Sequence, residues 1–279
     1  MTKTQAAVLR QVTADLAAET SELAAVLSRL KPQDWDQDTP AQGWTIRDQL
    51  THLAFFDDAT ILALTDQPVF DAQRAELLTF GDRFPDVIAA QFRHLPGRDC
   101  LDWFLRSREV LLAAYRAADP RLRLPWYGPD MGLVSSATGR LMETWAHGQD
   151  ILDTLGERRE PTARLRHIAE LGVRTFAFCF RLRGRPVPRT PVRIELSGPA
   201  APSRPRGPDT PGGQRWSWGP DGAADRIEGD AEEFCLVVTQ RRHLDDTNLA
   251  TGVLGRHWLL RAQAFAGAAS VGPTPKGPS

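Results

Sequence analysis

The chain has 279 residues, 25% of them charged, and a formal net charge of -1. That balance excludes a nucleic-acid binder held by a strongly basic surface, and no apolar run is long enough to span a bilayer or to serve as a signal peptide. A cytoplasmic protein with a substantial core is expected, working on a small molecule as a monomer or homodimer, with no nucleic acid or membrane partner.

Over residues 5–30, Leu9, Val12, Leu16, Leu23, Leu27 and Leu30 recur at threes and fours or their multiples, which predicts a first amphipathic helix. A polar loop at residues 32–40 leads to Gly43-Trp-Thr-Ile-Arg-Asp48. There Thr45 and Asp48 have the spacing of a capping box, opening a second helix that ends before Pro68. Residues 68–99 predict one short helix, at 85–93, followed by a break at Pro96-Gly97. A third long helix covers residues 100–118, with Leu101, Phe104, Leu105, Arg108, Leu111, Leu112 and Tyr115 in register. The aromatic turn Pro125-Trp-Tyr-Gly-Pro-Asp-Met131 then leads into a fourth, at 134–155, whose apolar residues lie on more than one side and mark it as central. A fifth helix is expected at 163–182.

The proline-rich stretch from Gly184 to Pro191 sets a boundary between a first domain, residues 1–183, and a second, 192–271. In the second domain, strands are expected at 192–196, 215–218 and 224–229, and a long, mobile loop at 198–213. Helices are expected at 230–242 and 254–268, with a disordered tail from Gly272 onward. Four amphipathic helices followed by this mixed segment predict an α+β class: a helical bundle with a small C-terminal α/β domain.

Glu143 and His147 stand at i and i+4 on the fourth helix, so their side chains rise from one face a turn apart. With His52 from the second helix they make a candidate metal triad, since bundles build such sites from inward-facing Glu and His on different helices. Two nitrogens and an oxygen suit zinc and leave a coordination position open, although iron(II) and nickel(II) accept the same donors. Asp150, one turn beyond His147, is the catalytic candidate, as a base or as the group that orients an imidazole. Its competing reading is an ion pair with Arg140 or Arg158. Trp126 and Tyr127 in the aromatic turn are candidates for lining a substrate pocket. Arg241 and Arg242 are candidates for holding a carboxylate, against a reading in which they complement a helix C-terminus, and His243 is a candidate for binding substrate. His94, His167 and His257 read as surface or structural residues. Cys100, Cys179 and Cys235 are far apart, without metal spacing, and read as reduced, packed thiols.

Gly43-Trp-Thr-Ile-Arg-Asp-Gln-Leu-Thr-His52 and Met142-Glu-Thr-Trp-Ala-His-Gly-Gln-Asp150 together resemble the DinB-like metalloenzymes, in particular the mycothiol-dependent maleylpyruvate isomerase family. The resemblance implies a four-helix bundle holding zinc through His52, Glu143 and His147, a small α/β C-terminal domain, and mycothiol as the low-molecular-weight thiol. Thr239-Gln-Arg-Arg-His243 and Ala262-Gln-Ala-Phe-Ala-Gly267 resemble instead a subgroup whose C-terminal segment is likened to wyosine-base-formation domains, so the maleylpyruvate substrate is not carried over. The expected function is metal-assisted thiol transfer to, or isomerisation of, a small electrophile. Its rivals are thiol-independent hydrolysis, elimination or isomerisation at the same metal, and a non-catalytic binding protein whose open position is closed by Asp150.

Overall fold

The computed structural model describes residues 4–200 and 213–277, and most of the loop expected at 198–213 lies outside the described residues. The chain forms two compact units, residues 1–158 and 159–279, and its class is α+β.

In the first unit the helices are α1 (Gln5–Leu27), α2 (Ile46–Thr65), α3 (Gln67–Leu78), α4 (Phe84–Phe92), α5 (Gly97–Ala117) and α6 (Leu133–Leu155). A two-stranded ribbon, β1 (Arg123–Leu124) and β2 (Met131–Gly132), carries the aromatic turn at its tip. Both α1 and α2 pack against α5 and α6, which closes a four-helix bundle. Leu16, Phe56, Leu111, Tyr115 and Leu141 fill one half of its core, and Leu27, Leu50, Leu53, Phe104 and Ile151 the other. At about 1.5–3 kcal/mol for each buried side chain, this apolar packing is the main force holding the bundle.

Local chemistry sets where the helices begin and end. The expected capping box opens α2: the Asp48 carboxylate accepts the Thr45 N–H at 2.9 Å, and the Thr45 hydroxyl accepts the Asp48 N–H at 3.3 Å. Arg93 also pairs with Asp48 at 2.9 Å, so this carboxylate holds the helix start and the end of α4. α3 is a helix beyond the one expected in residues 68–99. Pro68 stops α2, but it also stands in the first turn of α3, where its missing N–H costs nothing, and the Asp66 side chain caps that helix. α6 is buried along most of its length and ends where Gly156 turns left-handed at φ +67°.

The second unit contains α7 (Leu165–Arg174), α8 (Phe176–Arg181), β3 (Val192–Ala200), β4 (Gly213–Trp218), β5 (Asp225–Asp230), α9 (Ala231–Val238), β6 (Ala250–Thr251) and α10 (Val253–Leu259). Its sheet has the order β4-β3-β5-β6, with β5 parallel to β3 and the outer pairs antiparallel. Four expectations are corrected here. The fifth helix is two, broken at Thr175, whose hydroxyl bonds back to Gly172 at 2.9 Å. These helices belong to the second unit, so the division falls at 158/159 and not in the proline-rich stretch at 184–191. The reason is close packing on α9: a Cβ on Gly172 would lie 2.8 Å from Val238, and the Cys235 thiol bonds Leu165 C=O at 3.4 Å. The last helix stops at Leu259, because the following chain is held in non-helical contacts, with the fully buried Gln263 donating its N–H to Cys179 Sγ at 3.2 Å. The tail is placed as far as residue 277, with the Lys276 N–H on the Asp246 carboxylate at 2.9 Å.

Candidate metal centre

His52 projects from α2, and Glu143 and His147 from α6. Among the described residues these three form the one metal-capable cluster, each offering a ligand atom within 4.8 Å of the other two. Both imidazoles turn Nε2 toward the same oxygen: His147 Nε2 is 3.0 Å and His52 Nε2 3.4 Å from Glu143 Oε2. The cluster is mostly buried, with Glu143 the most open at 23% side-chain exposure. Burial would raise the Glu143 carboxyl, but hydrogen bonds and charge from His147 and His52 outweigh it and hold the group well below the usual carboxylate range.

The hydrogen-bond network around His147 determines which of its nitrogens faces the carboxylate. Thr39 Oγ1 donates to Trp44 C=O at 2.8 Å, so it accepts from the Gln49 side-chain amide at 2.7 Å. Gln49 Oε1 is then turned to His147 and accepts its Nδ1–H. With Nδ1 protonated, His147 Nε2 meets an anionic carboxylate oxygen at 3.0 Å, and a proton or a cation must lie between them. This donor set therefore fits a divalent metal: neutral nitrogens from different helices, one carboxylate, and an outer hydrogen bond that fixes the ring.

Aromatic rings wall the cluster. Trp44 stacks on His147 with centroids 5.9 Å apart and planes at 11°, and it tilts against His52 at 5.2 Å. Its indole N–H is held by Asp86 of α4 at 2.8 Å. The Phe56 ring packs against His52 at 4.6 Å. Trp126 and Tyr127 stand behind Phe56, at 6.0 and 5.4 Å, so they form a second layer of the wall.

Asp150 is buried, with its carboxylate 4.0 Å from His147 Nδ1, the nitrogen turned away from Glu143. It lies outside the three-ligand cluster. The alternative pairing with Arg140 is not made, because that guanidinium bonds Asp57 at 2.9 Å and Leu53 C=O at 2.8 Å. Arg241, Arg242 and His243 belong to the second unit. The Arg241 and Arg242 backbone N–H groups both reach Leu236 C=O, at 2.7 and 3.2 Å, after Gln240 has turned left-handed at φ +61°. They thus close the end of α9, and His243 Nδ1 accepts the Asp245 N–H at 3.1 Å. The expected helix over residues 230–242 is correspondingly shorter, ending at Val238. All three cysteines are buried, and desolvation pushes their thiols up, Cys100 to about 11, so none is poised as a nucleophile.

Gln49, Thr39, Trp44 and Phe56 were not picked out from the sequence. Gln49 and Phe56 lie three residues before and four after His52, on the same helix face, and that spacing was a usable signal. Nothing local marks Thr39.

Residues 16–152 match the family model described as the mycothiol maleylpyruvate isomerase N-terminal domain, a span that contains all three cluster residues. Two Mycobacterium tuberculosis proteins, Rv0036c and MT0041 from different strains and each described as uncharacterized, are 42% identical over 263 residues, covering 91% of this chain and 95% of theirs. A crystal structure of the mycothiol-dependent maleylpyruvate isomerase superposes with a TM-score of 0.57 at 15% identity, over 88% of this chain and 93% of that one. A mutant of that enzyme superposes with a TM-score of 0.54. The shared fold, the matched bundle and the near full-length likeness to the mycobacterial proteins agree: the chain belongs to the DinB-like, mycothiol-dependent maleylpyruvate isomerase family.

Proposed function

We propose that the protein is a cytoplasmic metalloenzyme that activates a low-molecular-weight thiol, mycothiol, for transfer to or isomerisation of a small electrophile. The observation that carries this reading is the convergence of His52, Glu143 and His147 on one point from two neighbouring helices. Zinc is the first choice of metal, with iron(II) or nickel(II) as competitors for the same donors. A divalent ion in this site would supply positive charge and an open position, at which a thiol loses its proton near neutral pH.

The chain's own residues then have distinct tasks. Glu143, the one carboxylate among the three residues, brings the compensating charge. Gln49 presents His147 in the tautomer whose Nε2 lone pair can serve as a ligand, and Asp150 supports the same ring edge from 4.0 Å. Trp44 against His147 and Phe56 against His52 cover part of the imidazoles with apolar rings, which strengthens the electrostatics within. The solved relative is named for maleylpyruvate, but at 15% identity it supports the fold, so the substrate is assigned here only as a small electrophile.

Metal analysis of the purified protein tests the first half of the proposal. Stoichiometric divalent metal is expected in the wild type and little in His147→Ala; equal content in both would defeat it. Titrating mycothiol into the cobalt-substituted protein tests the second half. A sulfur-to-cobalt charge-transfer band is expected, and an unchanged spectrum would remove the thiol while keeping the metal.

A further inference from the structure

A cluster of buried charge one turn from the metal centre has no part in the chemistry above. Asp57 on α2 is fully buried and takes a guanidinium on each oxygen: Arg140 of α6 at 2.9 Å and Arg108 of α5 at 2.7 Å. Arg108 also reaches Thr20 of α1 at 2.6 Å and Thr144 of α6 at 3.1 Å. Arg140 donates a second bond to Leu53 C=O at 2.8 Å, on the residue that follows His52.

Stability alone is a poor reason for such a cluster, because apolar side chains of similar size are often as good or better in a buried position. Its bonds are directional, however, and apolar contacts are not. Arg140 lies three residues before Glu143 and seven before His147, on one stripe of α6; its partners lie one and five residues after His52 on α2. The clamp and the triad therefore share the seam between these two helices. A one-residue slip along a helix is about 1.5 Å, whereas a working site must be held within about 0.5 Å. We infer that Arg140 is a positioning residue that locks α2 to α6 in the register that brings His52 to Glu143 and His147. This rests on the metal reading above.

Arg140→Met tests it, since the Asp57–Arg108 pair remains in this variant. Cobalt affinity, measured by chelator competition, is expected to fall about 10–100-fold, the loss typical of outer-shell partners, while the metal-free protein melts no lower than wild type. Affinity within twofold of wild type would overturn the inference, and so would affinity and melting temperature falling together. If Arg140→Met does not fold, Arg140→Lys takes its place: it keeps the charge but loses the rigid planar fork that aims separate donors at Asp57 and Leu53 C=O, so cobalt should again bind more weakly at preserved stability, and wild-type affinity would overturn the inference. A wild type that binds no cobalt would instead defeat the metal reading itself.

Discussion

Replacing Gln49 with leucine removes the acceptor that fixes the His147 ring while keeping the side-chain volume. His147 Nδ1–H is buried, and stranding a buried donor costs about 1–3 kcal/mol. The ring escapes that cost by turning or by changing tautomer, and either takes Nε2 out of service, so the penalty appears as weaker metal binding. It corresponds to a loss of roughly 5- to 150-fold. Asp150 moderates it, because its carboxylate lies 4.0 Å from Nδ1 and needs to move only about 1 Å to accept the proton. Gln49→Leu alone should therefore fall at the lower end, about 5- to 10-fold, and Gln49→Leu combined with Asp150→Ala near the upper end. Competition against a chromophoric zinc chelator at fixed pH measures both, with circular dichroism of the metal-free proteins as the check on folding. A folded double variant with wild-type zinc affinity would refute the assignment of the His147 tautomer.

Asp57→Ala leaves two buried guanidinium groups without their shared carboxylate and should lower stability by about 3–5 kcal/mol in urea unfolding; a loss below about 1 kcal/mol would show that the cluster is not electrostatically tight. Gly97→Ala places a methyl against the ring of Trp35, which is buried, so a loss of about 1–3 kcal/mol is expected with metal affinity unchanged. The Cys100 thiol sits at about 11. A raised thiol pKa keeps the neutral form below that value, so at pH 8 only about one Cys100 in a thousand is thiolate. An aromatic disulfide reagent should accordingly titrate the cysteines at pH 8 only after denaturation, and fast labelling of the native protein would contradict their burial.

The parts of the molecule that could be read from sequence are those set by neighbours three or four residues away. The stripes of α1, α5 and α6, the capping box of Thr45 and Asp48, and the Glu143–His147 pair are of this kind. Pairing them with His52 needed only the further step that bundle helices turn ligands inward. Where the reading failed, a distant residue decides. Pro68 is as good at starting a helix as at ending one, and Asp66 settles which. The periodicity of residues 163–182 shows that they bury a face, but only Val238 against Gly172 shows which unit they bury it in. Arg108 falls in register with the apolar stripe of α5, and Arg140 reads as a salt-bridge partner of Asp150, but the role of both shows only once Asp57 is seen between them. The site's wall was hidden for the same reason, since the place of Trp44 above two imidazoles is set by Thr39, Gln49 and Asp86 together.

The stack of Trp44 on His147 also gives the site an optical signal of its own. An indole 5.9 Å from one imidazole and 5.2 Å from another is close enough for its emission to respond when those rings change charge or take up a paramagnetic ion. The chain has eight tryptophans, so the raw spectrum mixes this signal with seven others. Subtracting the spectrum of Trp44→Phe isolates it. The occupancy of the centre can then be followed in real time, without a chelator and without knowing the substrate.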